Sequence, residues 1–111
     1  MLTLDSLTEF GADVQDGLAR CLNNTNFYLK MVNMGLADSN FETLEKALIS
    51  NDLDKAFESA HALKGILGNL ALTPLYTPLS DLTEKLRART PGDYTEEYKK
   101  ILDLRQQLLS L

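Results

Sequence analysis

The chain has 111 residues, 44% of them hydrophobic and 24% charged, with a formal net charge of −5. This describes one domain, residues 1–111, with apolar material for a single modest core. The acidic balance argues against nucleic acid or an anionic membrane as the main partner, and no apolar run approaches the ~20 residues that a membrane span needs.

Apolar residues recur at steps of three and four, and no stretch alternates β-branched residues two by two, so the pattern is all-α. Ser6, with Glu9 three residues later, reads as the cap of a short helix reaching about Phe10. A second short helix is expected from Val14 to about Leu22. Asn23-Asn24-Thr25 makes a turn or cap, and helix resumes from Asn26 to about Leu36. Ser39 and Glu42 form a capping box for a helix from Phe41 to Ser50. Whether residues 26–50 make two helices or one long helix bent near Asp38 stays open. Asn51-Asp52 is a turn and cap, and a helix from about Leu53 to Leu70 follows. The next helix has two possible starts, Thr73-Pro74 and Thr77-Pro78, each a cap followed by proline at the first helical position, and it continues to about Ala88. Pro91-Gly92 breaks the chain, and Asp93 with Glu96 caps a last helix carrying Tyr94, Tyr98, Ile101, Arg105 and Leu108.

The apolar stripes are narrow. One runs Ala56, Ala60, Leu63, Leu67, Leu70 and the next Leu75, Leu79, Leu82, Leu86. Such steps suit antiparallel helices at small crossing angles, so the expected fold is an up-down antiparallel four-helix bundle with a short additional N-terminal helix. The start, Met1-Leu2-Thr3-Leu4-Asp5, lacks the basic flank and apolar stretch of a signal peptide, and the lone Cys21 has no internal disulfide partner. Both features fit a reducing, cytoplasmic setting, and Cys21 reads as buried filler.

The chain's one histidine lies in Ala60-His61-Ala62-Leu63-Lys64-Gly65-Ile66-Leu67-Gly68-Asn69. At roughly 100° per residue, His61 and Gly68 point about 140° away from the apolar stripe, with Phe57 and Lys64 toward the core side and Gly65 and Glu58 on the far side. His61 is therefore expected to project outward. Mid-helix glycine costs roughly 1 kcal/mol against alanine, so Gly65 and Gly68 imply close approach of another body. Their sharing the outward face favours an external partner over internal packing. Gly-x-x-Gly is also the loop signature of a nucleic-acid-binding fold, but here it sits on a helix in an acidic chain. Lys64, three residues after His61, is placed to steady a phosphoryl group on the imidazole and to favour the neutral, nucleophilic ring. Glu58 could orient the ring by accepting a proton from its other nitrogen, or stand as a solvated carboxylate. Phe57 reads equally as part of a docking patch or as packing on a neighbouring helix edge. Met31 and Met34 read first as core filler.

The segment His61-x-Leu63-Lys64-Gly65-x-x-Gly68-Asn69 resembles the motif of histidine-containing phosphotransfer domains. Tyr28-Leu29, Leu44, Ala47-Leu48, Asn51-Asp52-Leu53 and the leucines Leu75, Leu79, Leu82 and Leu86 extend the resemblance over nearly the whole chain. It implies a four-helix bundle whose exposed histidine passes a phosphoryl group between receiver-domain aspartates in a multistep phosphorelay. His61 matches the phosphorylated histidine and Lys64 the lysine that steadies the phosphate. Gly65 and Gly68 match small residues that admit the receiver. Gly35, where the family often has a bulky apolar residue, and Pro78, inside a helix that should be regular, depart from the pattern.

The expected function is thus a monomeric phosphoryl carrier, with no cofactor of its own, and with the aspartate and Mg²⁺ supplied by the receiver domain of a response regulator or hybrid kinase. Phosphate-cradling and kinase motifs are absent, so ATP-dependent self-phosphorylation is not expected. A rival reading is a binding module that docks a receiver or helical partner through the same face without phosphotransfer. A metal hydrolase is disfavoured, because one histidine and no Cys/His cluster leave too few ligands.

Overall fold

The computed structural model describes residues 2–111. Its regular structure is helical: α1 (Leu4–Phe10), α2 (Val14–Arg20), α3 (Thr25–Leu36), α4 (Asn40–Ile49), α5 (Leu53–Asn69), α6 (Thr73–Arg87) and α7 (Thr95–Leu109). Helix α5 packs between α4 and α6, α6 lies against α7, and a contact of α4 with α7 closes the ring. Both leucine stripes are buried, with Leu63, Leu67, Leu75, Leu79, Leu82 and Leu86 wholly inaccessible. Each contributes about 1.5–3 kcal/mol by leaving water. The expected four-helix bundle is present, and α1 and α2 are two seven-residue helices ahead of it.

The segment 26–50 forms two helices. The carboxylate of Asp38 accepts from the backbone amide of Asn40 at 2.8 Å and from its side-chain amide at 2.9 Å, which stops α3 and starts α4. Asp38 thereby displaces the expected Ser39–Glu42 capping box: Ser39 makes no side-chain cap bond, and Glu42 pairs with Lys46 at 3.0 Å. The two helices still share one side of the bundle, because α7 runs antiparallel past both. Tyr98 donates its hydroxyl to the Phe41 carbonyl at 2.8 Å, and Arg105 donates Nε to the Leu36 carbonyl at 2.7 Å. The second bond satisfies an orphan acceptor at the end of α3. Gly35 has a packing reason: a Cβ there would stand 2.6 Å from Leu70 Cδ1.

Other boundaries move by local chemistry. Helix α1 is capped by Thr3, not Ser6. Ser6 fills the third helical position, its amide donating to Thr3 Oγ1 at 3.0 Å while its Oγ accepts from the Thr3 amide at 2.9 Å. Helix α2 ends before Leu22 because Leu22 and Asn23 adopt left-handed backbone angles, φ 58° and 55°. Helix α6 begins near the earlier of its two candidate starts, but Thr73 is its first helical residue rather than its cap: Leu72 holds the cap position without a side-chain bond, and the helix continues through Pro78. At α7, Asp93 Oδ1 accepts from the Thr95 hydroxyl and amide, which holds its carboxyl below the usual range. That turn does the work of a cap, and no box with Glu96 forms.

The N-terminal helices fasten onto the turn between α5 and α6. The Asp13 amide donates to the Ala71 carbonyl at 2.9 Å, the Tyr28 hydroxyl to the Leu70 carbonyl at 2.8 Å, and Arg20 Nη1 to Asn69 Oδ1 at 3.3 Å. Tyr28 is fully buried, and burial pushes its phenol up to about 12.

Candidate functional site

Helix α5 carries the site on the face opposite its leucines. His61 is exposed, as the helical phase requires. Its ring stacks on Phe57, one turn earlier, at a centroid distance of 5.6 Å and 25° between planes. Phe57 is half-buried against the core edge, so it both packs inward and supports the imidazole. Glu58 is exposed and makes no hydrogen bond to the ring among the described residues, so the orienting contact on His61 comes from Phe57.

The C-terminal end of α6 completes the surroundings. The guanidinium groups of Arg87 and Arg89 lie 4.9 and 5.0 Å from the Phe57 ring centroid, within cation–π range. Arg89 follows the C-cap Ala88 with φ 53°, a left-handed position usually given to glycine. It is held there by Nε to Asp54 Oδ1 at 2.7 Å and Nη1 to the Leu86 carbonyl at 2.7 Å. Glu84 stands between two cations: Oε1 is 3.6 Å from Lys64 Nζ and Oε2 is 3.1 Å from Arg87 Nε. Lys64 is partly sheltered, its side chain 25% exposed.

The two glycines differ. Nothing lies within 4 Å of a Cβ built on Gly65, which therefore opens onto free space beside His61. A Cβ on Gly68 would stand 3.1 Å from Tyr76 Cε2. Gly68 is thus half-buried against a ring of α6, which gives it a packing reason beside its place on the same open cleft as His61. His61, Lys64 and Gly65 border an open cleft of about 520 Å³ whose far wall includes Asp13, Asp16 and Arg20 of the α2 segment. Arg20 Nε pairs with Asp16 at 3.2 Å. Met31 is half-buried and Met34 is 56% exposed, so Met34 is not core filler. Cys21 is buried.

Sequence reading brought together His61, Phe57, Lys64 and Gly65, and missed Glu84, Arg87, Arg89, Tyr76 and the α2 wall. A signal for two of them, Tyr76 and Arg87, exists. In an antiparallel hairpin, residues equidistant from the turn face each other. Positions 68 and 76 are each four from Leu72, and positions 57 and 87 are each fifteen from it. The α2 wall had no such signal, because it rests on hydrogen bonds distant in sequence.

A family model described as the Hpt domain matches residues 35–110. The chain belongs to the Hpt domain family. Hpt domains are phosphotransfer modules of phosphorelays, phosphocarriers rather than kinases, and they interact with receiver domains. The matched span of this Hpt domain contains α4 to α7 and His61, while α1, α2 and most of α3 precede it. No curated protein and no solved structure shows a significant match to the chain. Among the described residues, no helix of the Hpt domain is long and apolar enough to cross a membrane.

Proposed function

We propose that this Hpt domain carries phosphate on His61, accepting it from the phosphorylated aspartate of a receiver domain and passing it to another receiver. The observation that carries this reading is the exposed imidazole, stacked on Phe57 beside the bare surface of Gly65. An unprotonated ring nitrogen attacks phosphorus. The bond from phosphorus to the aspartyl oxygen breaks, its electron pair stays on the departing carboxylate, and the ring keeps the proton on its other nitrogen. Such transfer needs placement and charge neutralisation more than covalent help. Lys64 supplies positive charge from this chain, and the Mg²⁺ belongs to the receiver. Phe57 fixes the ring plane, and Gly65 leaves room for the receiver surface.

Incubation with a receiver domain labelled on its aspartate, in Mg²⁺, tests the reading. Label is expected to move to the wild type and not to His61→Gln. If the wild type never takes label while both proteins bind the receiver equally, the chain is a docking module without phosphotransfer.

A further inference from the structure

Glu84 lies on α6, across the hairpin from His61, and neutralises the cation that the phosphoryl group needs. Its two oxygens are divided. Oε1 faces Lys64 at 3.6 Å, a loose contact, and Oε2 faces Arg87 at 3.1 Å, a tight one. Arg87 is further fixed over the Phe57 ring, which stacks on His61. We propose, on the reading that His61 is the phosphorylated residue, that Glu84 is a placeholder anion: it holds Lys64 while His61 is bare and yields Lys64 to the phosphoryl group once His61 is modified.

Three features support the exchange. A phosphoryl group carries more negative charge than a carboxylate and presents three acceptor oxygens, so it competes well for an ammonium one turn away on the same helix. Lys64 makes the longer contact of the two cations and ends in a point charge on an unbranched stem, whereas Arg87 is a planar fork seated on an aromatic ring. Glu84 also keeps Arg87 after Lys64 leaves, so the exchange strands no carboxylate. Glu84 is therefore a positioning residue. It sets how strongly the bare site resists the incoming charge, and it keeps Lys64 ordered for the moment of transfer.

The test needs no receiver. Phosphoramidate phosphorylates histidine directly: the ring nitrogen attacks phosphorus and ammonia leaves. The wild type, Glu84→Gln, Lys64→Ala and the double variant are phosphorylated in this way, and the ³¹P resonance is followed against pH. Glu84→Gln is expected to raise the acid dissociation constant of the phosphoryl group about two- to fivefold, the range of an exposed ion pair, because the dianion then draws Lys64 without competition from the carboxylate. Lys64→Ala lowers it, and in that background adding Glu84→Gln has a clearly smaller effect. An unchanged constant in Glu84→Gln, or an equal effect with and without Lys64, overturns the proposal. Labelling of His61 by phosphoramidate but not by a phosphorylated receiver would sink the carrier function and leave the role of Glu84 standing. Labelling by neither ends both.

Discussion

Two glycines three residues apart on α5 have opposite surroundings, and substitution separates what each does. Gly65 meets nothing, so Gly65→Ala is expected to stabilise the fold by about 1 kcal/mol through helix propensity alone, read as a rise in the thermal midpoint. Gly65→Leu should keep that fold but slow transfer from a receiver severalfold, while labelling by phosphoramidate continues at the wild-type rate. An unimpaired receiver reaction would show that the open surface there serves no partner. Gly68 is different, because any side chain meets the Tyr76 ring. Gly68→Leu is expected to destabilise by roughly 1–3 kcal/mol as an overpacked contact, and denaturant unfolding reads it. The additional variant Tyr76→Ala should recover part of that loss, which a purely external clash would not allow.

At the scale of the helices, two buried tyrosines tie elements together and give the fold an alkaline limit. Tyr28 joins α3 to the end of α5, and Tyr98 joins α7 to α4. Burial, the largest cause in each case, pushes both phenols up, Tyr28 to about 12 and Tyr98 further. An unfolded tyrosine titrates near 10, so the unfolded chain loses these protons first. The stability they contribute is complete below about pH 10 and is lost as pH rises from there through the folded values, by an amount on the order of 2 kcal/mol for Tyr28. Chemical denaturation between pH 9 and 12 should show that decline, and Tyr28→Phe should flatten part of it. A decline equally steep in Tyr28→Phe would assign it elsewhere. The helices themselves were largely legible, because buried leucines at steps of three and four are a repeated signal that survives local noise. Their ends were less so. Asp38 took the place expected of Ser39, and Thr3 that of Ser6, since several adjacent polar side chains can reach the same first-turn amides. The exposed direction of His61 followed from helical phase alone, whereas the charges around Phe57 come from α6 and required the pairing of two helices.

For the whole molecule, the family match and the folded unit have different edges. The match begins at residue 35, in the last turn of α3, yet Leu7, Tyr28 and Val32 are fully buried members of the one hydrophobic cluster. A fragment of residues 35–111 is therefore expected to unfold at much lower denaturant than the full chain, with the Leu70 and Ala71 carbonyls deprived of the donors from Tyr28 and Asp13. Circular dichroism of the two proteins at matched concentration decides it, and equal midpoints would make the leading helices ornamental. The wall that Asp13, Asp16 and Arg20 raise beside the imidazole has a practical corollary for anyone exchanging such modules between signalling proteins. On the proposed carrier function, a graft cut at the family boundary would transplant His61 without the rampart on its flank, so chimaeras joined ahead of Leu2 and chimaeras joined at Gly35 should differ in which receivers they serve.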